Sequence, residues 1–154
     1  MRIVHFERDG VAGIAADDGS GWHGLMERES GFPGALPELI TQSADLLRIG
    51  RDLQPTPAID LNAVRIRPPM TRPPKILCVG VNYDDHIEES GLKKPTYPEI
   101  FARFATSLIA HGDPIRRPRE SSALDYEAEL AVVIGRGGRR ISRDRALEDR
   151  KSVV

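Results

Sequence analysis

Two glutamates, Glu127 and Glu129, stand two positions apart in residues 125–135, a segment whose second half is rich in β-branched residues. Such a run, closed by a glycine, predicts a β-strand. Because side chains alternate across a strand, both carboxylates would share one face, roughly 6–7 Å apart. Their repulsion would be about 2–3 kcal/mol at an effective dielectric constant of about 20. This face therefore indicates either a bound divalent cation, which takes oxygen ligands, or an exposed acidic surface balanced by arginines.

A histidine and a second glutamate, His86 and Glu89, follow a nearly continuous apolar run. Residues 82–91 predict a short helix, because Asn82 can cap it, aspartates occupy its first turn and Gly91 can end it. Positions i and i+3 lie on one helix face, so the two side chains can hydrogen-bond. A carboxylate fixes the tautomer of an imidazole, which is what a general base or water activator needs. The alternative is a solvated pair on a surface helix.

Arg103 belongs to residues 99–105, whose alternation predicts another strand. Its guanidinium could bind an anion in a cleft, or it could supply the counter-charge of the acidic strand. The residue type alone leaves both alternatives open.

The elements that must position these side chains fall into two parts. Before the prolines, a β-meander is predicted with a hairpin turn at Asp9 and Gly10, followed by a helix and a last strand. These predicted elements occupy residues 2–7, 11–16, 22–25, 36–49 (a helix ended by Gly50) and 61–66. Four prolines within residues 67–74 then predict a domain boundary, because proline cannot continue a sheet or a helix.

After the prolines, the apolar run at residues 75–81 predicts a strand buried on both faces. Beyond the acidic strand, Ser142 is placed to cap a final helix over residues 143–149. The sequence thus predicts a mixed β fold with some α-helix.

Composition limits the classes of function. The 154 residues are 40% hydrophobic and carry a net charge of −1, which is ordinary for a globular protein and gives no electrostatic case for nucleic acid or an anionic membrane. No apolar run approaches the ~20 residues that span a bilayer. The single cysteine, Cys78, cannot form an internal disulfide. These features predict a cytoplasmic protein.

Four segments together resemble the fumarylacetoacetate hydrolase family, in order and in spacing: residues 74–86, 98–104, 112–115 and 124–135. The resemblance extends over residues 73–149, and the part before it resembles the small N-terminal domain of bacterial members. It implies a small β-rich N-terminal domain at 1–67 and a proline-rich linker at 68–74. Residues 75–154 would then be the N-terminal part of a mixed β-roll catalytic domain, truncated and incomplete.

The same resemblance implies a Mg²⁺- or Mn²⁺-dependent enzyme that hydrolyses, decarboxylates or isomerises 2-oxo or 1,3-dioxo acids. Substrates of the fumarylpyruvate, acylpyruvate or hydroxymuconate type, in aromatic degradation, are typical. Glu127 and Glu129 fall on the family's metal-binding pair. His86 with Glu89 falls on the dyad that activates water or moves a proton. Arg103 and Tyr83 are assigned to substrate binding.

Two further expectations concern the extent of the chain. In the family, a third metal-binding carboxylate lies further along the sequence, so the resemblance implies an incomplete metal site and a chain of low activity. The full-length enzyme is expected to be a homodimer with a small 2-oxo acid substrate. The alternative is a non-catalytic fragment that acts as an interaction module.

Overall fold

The computed structural model describes residues 1–91, 93–147 and 150–153. By its contacts the chain forms two compact units, Met1–Pro69 together with Ile109–Val154, and Met70–Leu108. The first boundary falls inside the predicted linker at 68–74, and the second falls inside the predicted catalytic part. The assignment of residues 75–154 to one domain therefore stays a prediction.

A four-stranded antiparallel sheet forms the base of the first unit, in the order β3-β2-β1-β4. Its strands are β1 (Arg2–Arg8), β2 (Val11–Asp17), β3 (His23–Met26) and β4 (Arg65–Arg67). The predicted hairpin turn is present: Asp9 and Gly10 both have positive φ, 52° and 77°. Such φ pairs match the twist of the flanking strands, so the meander predicted from this turn is confirmed.

The core of the first unit lies against this sheet. Phe6 and Ile14 are fully buried. Phe6 forms one buried cluster with Ala15 and Ile59, whereas Ile14 lies on the opposite face of the sheet, because neighbouring residues of a strand alternate between its faces. Gly13 is directly opposite Phe6, and a Cβ atom at Gly13 would overlap the Phe6 ring. Glycine at this position therefore makes room for the largest core side chain.

Two short helices cover the sheet, α1 (Leu36–Thr41) and α2 (Leu46–Leu53), where one longer helix was predicted. The prediction was wrong because the chain turns between them: Ser43 has a φ of 55°, and the Asp45 carboxylate accepts a hydrogen bond from the Arg48 amide at 3.0 Å. That bond caps a new helix. Gly50, predicted to end the helix, lies buried inside α2 beside the side chain of Met1.

The strand predicted over residues 61–66 is shorter and later than expected. Asp60 accepts a hydrogen bond from the Asn62 amide at 2.9 Å and opens a single 3₁₀ turn at Leu61–Ala63. Only after this turn does β4 pair with β1, with Ile66 opposite Phe6.

The second unit contains an antiparallel pair, β5 (Ile76–Gly80) and β6 (Glu99–Arg103), joined through α3 (Asp84–Ser90). Gly91 ends α3 in the left-handed conformation, as predicted, but Tyr83 and not Asn82 occupies the N-cap position. The prediction of a strand buried on both faces was also wrong. Among the described residues β5 pairs with β6 alone, and Leu77 is 63% exposed.

The acidic segment differs most from its prediction. Residues 125–131 have no strand pairing, and only β7 (Val132–Ile134) forms a strand, antiparallel to β8 (Arg150–Val153). The predicted last helix is a 3₁₀ turn at Arg143–Arg145, at which the Ser142 side chain makes no capping hydrogen bond. Residues 148 and 149 of that prediction lie outside the described residues. A helix long and apolar enough to cross a membrane does not occur in the described part of the chain.

Candidate functional site

Helix α3 presents the predicted proton-transfer pair. His86 and Glu89 are three residues apart on this helix, so they lie on one face, and both are exposed. Tyr83, at the N-cap, is 43% exposed. Two aspartates occupy the first turn, where negative charge is favourable. The helix therefore forms where the sequence predicted it, and its candidate side chains are exposed.

Val81, between β5 and α3, has a strained backbone that no sequence pattern predicts. Its φ is 53°, a conformation that costs a β-branched residue about 1–3 kcal/mol. Such strain persists only where the surrounding structure enforces it, and it concentrates at functional sites. The strain falls at the turn that leads into the helix of His86.

An ion pair joins the loop after α3 to the start of the helix. The Lys94 ammonium lies 2.5 Å from a carboxylate oxygen of Asp84, and both side chains are largely exposed. No pattern in the sequence pointed to this pairing.

Arg103 lies at the end of β6, opposite Ile76, with its side chain exposed. It belongs to the same unit as His86, Glu89 and Tyr83. The predicted substrate-binding and proton-transfer residues thus all fall within residues 70–108, and their roles stay predictions.

The two candidate metal ligands, Glu127 and Glu129, are exposed and belong to the first unit. Because residues 125–131 form no strand, the alternation that was expected to align the two carboxylates has no sheet to enforce it. Asp125 beside them accepts a hydrogen bond from the Tyr126 amide at 2.8 Å. Within the described residues, neither glutamate is in an ion pair with an arginine.

The donor chemistry of these two residues fits a hard divalent cation, which takes carboxylate oxygens. The number of donors is small: Mg²⁺ takes about six oxygen ligands. Among the residues described, no group of three or more histidine, cysteine, aspartate or glutamate side chains is arranged to hold a metal ion. Glu127 and Glu129 therefore supply part of a ligand set.

A second charged cluster, missed by the sequence analysis, lies in the first unit. Arg65 donates two hydrogen bonds to the Asp113 carboxylate, at 3.0 and 2.8 Å, and the Ala110 amide donates a third at 3.0 Å. These bonds, with that from Arg65 the largest contribution, hold the pKa of Asp113 below its usual value. The pair lies beside a groove of about 690 Å³ between residues 7–10, 61–66 and 111–113.

Comparison with known proteins gives this geometry a context. The chain is 36% identical over 147 residues to mitochondrial oxaloacetate tautomerase FAHD2A of Bos taurus, covering 92% of this chain and 47% of that protein. The match shows that the chain spans about half the length of the curated relatives it resembles.

Two solved structures superpose on nearly the whole chain. One is a putative HpcE protein from Mycobacterium smegmatis, with a TM-score of 0.72, 33% identity, and coverage of 99% of this chain and 53% of that one. The other is the fumarylacetoacetate hydrolase of the psychrophile Exiguobacterium antarcticum, with a TM-score of 0.73, 31% identity and the same coverage. These superpositions confirm the predicted fold class, mixed β with some α-helix.

The model of the family domain described as fumarylacetoacetate (FAA) hydrolase, C-terminal, matches residues 75–149. That range includes all six candidate site residues: Tyr83, His86, Glu89, Arg103, Glu127 and Glu129. The predicted resemblance is confirmed: residues 75–149 match the fumarylacetoacetate hydrolase family.

Proposed function

We propose that this chain contributes to an enzyme that moves a proton on a small 2-oxo acid, with keto–enol tautomerisation of oxaloacetate as the favoured reaction. The observation that carries the proposal is the exposed pair His86 and Glu89 on one face of α3, directly after the strained Val81. The name of the bovine relative supports oxaloacetate as the substrate. Of the reactions expected from the family, proton transfer requires the fewest groups beyond this pair.

The proposed chemistry needs one base and one orienting group. The C–H bond next to the 2-oxo group breaks and its proton passes to a ring nitrogen of His86. His86 then donates that proton, or one exchanged for it with water, to the carbonyl oxygen to give the enol, and is neutral again. The reverse sequence regenerates the keto form. Glu89 holds the imidazole tautomer, while Arg103 and Tyr83 bind the substrate carboxylate and carbonyl by charge-assisted and neutral hydrogen bonds.

Divalent-metal dependence belongs to the same proposal. Glu127 and Glu129 would hold Mg²⁺ or Mn²⁺, which when bound would act as a Lewis acid toward the oxygens of a 2-oxo acid. Because two carboxylates are fewer than the usual oxygen set, we expect weak metal binding by this chain and low activity. Hydrolysis or decarboxylation of acylpyruvate-type acids remains within the proposal as a further activity of the family.

The first test follows oxaloacetate tautomerisation, from the absorbance of the enol, with the 154-residue chain and added Mg²⁺ or Mn²⁺. We expect a small rate above the buffer rate. His86→Asn should abolish the protein-dependent rate, because a positioned base contributes about 10²–10⁴-fold. Glu88→Gln, on the same helix, should leave it unchanged. Equal rates in the wild type and His86→Asn would contradict the proposal.

The alternative function is an interaction module without catalysis. It is favoured by the exposure of apolar side chains in the second unit, among them Leu77, Ile100 and Phe104. Calorimetric titration with Mn²⁺ separates the two functions. Heat of binding that is lost in Glu127→Gln but kept in Glu120→Gln supports the enzyme. Absence of both metal binding and turnover supports the module.

Assembly, compartment and pathway are also proposals. We propose a homodimer in the full-length enzyme, a cytoplasmic location supported by the single cysteine, and a place in aromatic degradation supported by the family resemblance. The bovine relative is a mitochondrial protein by name. Localisation of a tagged chain by microscopy, and its mass in solution by light scattering, test the first two.

A further inference from the structure

A small cavity of about 110 Å³ lies inside the second unit, beside the end of β5, α3 and the loop that follows α3. Its wall is formed by residues 79–82, Ile87 and the loop residues Lys94, Pro95, Tyr97 and Pro98. Pockets that enclose a whole small-molecule ligand measure about 300–1,000 Å³. The cavity therefore has the size for one end group of a ligand.

The residues around this cavity favour an anionic end group. Among the described residues that line it, Lys94 alone carries a formal charge. Asn82 and Tyr97 carry neutral hydrogen-bond donors, and the prolines and aliphatic residues provide stiff apolar walls. A cation and a few donors within apolar walls select a carboxylate attached to a short carbon chain.

Lys94 is held in a way that permits exchange of its partner. Its ammonium lies 2.5 Å from the Asp84 carboxylate, and the two side chains are 71% and 74% exposed. An exposed pair of this kind contributes little to stability, so leaving it costs little. Asp84 is largely exposed and outside the set of lining residues, so its carboxylate would remain solvated if the ammonium turned to a carboxylate in the cavity.

The strained residue lines the same cavity. Val81, which forms part of the cavity wall, has a φ of 53°. Within the described part of the chain it is the single β-branched residue with a positive φ. Strain at a wall residue is typical of sites shaped for a ligand. This observation is independent of the charge of Lys94.

We propose that Lys94 and this cavity bind the carboxylate of a 2-oxo acid, with Asp84 holding the ammonium when no substrate is bound. The substrate class rests on the proposed function, and the proposal adds a carboxylate subsite to it. Asp84 and His86 belong to the same helix, α3. Exchange of the Lys94 partner thus takes place two residues from the proposed base.

The test is a titration of the ¹⁵N-labelled 154-residue chain with sodium pyruvate, at constant ionic strength and without added metal, followed by amide chemical shifts. We expect saturable shifts at Val81, Asn82 and Tyr97. Lys94→Gln should raise the pyruvate Kd about fivefold, the effect of removing one solvent-screened charge. Lys93→Gln removes the same charge one position away and should leave the Kd unchanged.

The direction in which Asp84→Asn changes the pyruvate Kd is decisive. If Asp84 only holds the free ammonium, its neutralisation should lower the pyruvate Kd about twofold, since less competition remains. A Kd raised in Asp84→Asn as in Lys94→Gln would mean that the ion pair merely shapes the loop, and would overturn the proposal. Absence of saturable shifts, or equal shifts with sodium chloride, would also overturn it.

Pyruvate binding involves no turnover, so the two proposals fail separately. A chain that binds pyruvate through Lys94 but does not tautomerise oxaloacetate refutes the proposed function alone. A chain whose turnover depends on His86 but whose pyruvate Kd is unchanged in Lys94→Gln refutes the carboxylate subsite alone.

Discussion

The four-stranded sheet and the antiparallel β5–β6 pair are both rich in apolar residues, but they differ in how much of each is buried. Five of the seven residues of β2 are buried, whereas no residue of β5 or β6 is. The sheet has α1 and α2 packed on it, whereas within the described chain β5 and β6 pair only with each other. Burial therefore follows from what packs against a strand, because apolar sequence alone cannot remove water from it.

The largest effect expected from this contrast is on core phenylalanine. Phe6 is fully buried and Phe101 is 47% exposed. Phe6→Ala should lower the free energy of unfolding by about 3–5 kcal/mol, and Phe101→Ala by less than about 1 kcal/mol. Urea unfolding followed by far-ultraviolet circular dichroism measures both. Equal losses of unfolding free energy in the two variants would show that the β5–β6 pair is as well packed as the sheet.

Glycine substitution probes the same packing from the opposite direction. In Gly13→Ala the added methyl group would overlap the Phe6 ring, and overpacking of this kind costs about 1–3 kcal/mol. Gly137 has no atom near its ideal Cβ position, so Gly137→Ala should change stability by less than about 0.5 kcal/mol. The melting temperatures of the two variants should differ accordingly, and a stable Gly13→Ala would contradict the described core.

The third prediction concerns backbone strain in the second unit, at Val81. Val81→Gly should stabilise the second unit by about 1 kcal/mol, because relief of about 1–3 kcal/mol of strain exceeds the entropic cost of glycine, about 0.5–1 kcal/mol. Val79→Gly, inside β5, should destabilise it instead. Amide hydrogen exchange in β5 and α3 reports both changes. Destabilisation by both variants would mean that Val81 is unstrained.

The smallest expected effect is a pH dependence confined to the sheet. His5 is buried in β1, and its Nδ1 lies 3.3 Å from the Pro68 carbonyl oxygen. Burial lowers its pKa and Arg67 adds to this, while the Pro68 hydrogen bond, Glu7 and Glu38 oppose it. Because the unfolded chain takes up the proton first, stability should fall as pH drops below about 6.5, the ordinary value.

The measurement is the melting temperature between pH 7.5 and pH 5, approximately the range in which imidazole titrates. His5→Gln should give a flatter profile over this range. Asp17, whose pKa is lowered by hydrogen bonds from Gly19 and Arg2, titrates below its ordinary value of 3.8 and does not contribute there. An unchanged slope in His5→Gln would assign the pH dependence to other groups.

The sequence was sufficient where a local pattern determines the structure. The hairpin of β1 and β2 follows from two short runs rich in apolar residues and from Asp9 and Gly10, which need no distant partner to turn the chain. Gly91 likewise ends α3 because glycine adopts positive φ without a Cβ penalty. His86 and Glu89 could therefore be placed on a helix correctly.

Elsewhere, the sequence contains capping residues that mark the true element boundaries, but the hydrophobic periodicity suggested longer elements. Leucines on both sides of residues 42–45 suggested one helix, although Asp45 is a strong capping residue at the break. Asp60 opens a turn in the same way before β4. Attention to capping aspartates would have corrected both boundaries.

A third group of features depends on tertiary structure and could not be predicted. No local pattern predicts the positive φ of Val81. The ion pairs Lys94–Asp84 and Arg65–Asp113 likewise join residues that no local pattern connects. The apolar and acidic alternation around Glu127 and Glu129 resembled a strand, but a strand forms only where a partner supplies its hydrogen bonds.

The Arg65–Asp113 pair has a consequence for the order in which the chain is built. It joins residues 48 positions apart, and the whole of the second unit, Met70–Leu108, lies between them. A polypeptide leaves the ribosome from its N-terminus, so all four strands of the sheet emerge before Asp113 has been synthesised. The contacts within the sheet and within the β5–β6 pair join residues that are all synthesised before Asp113, so both should form before this ion pair closes during translation.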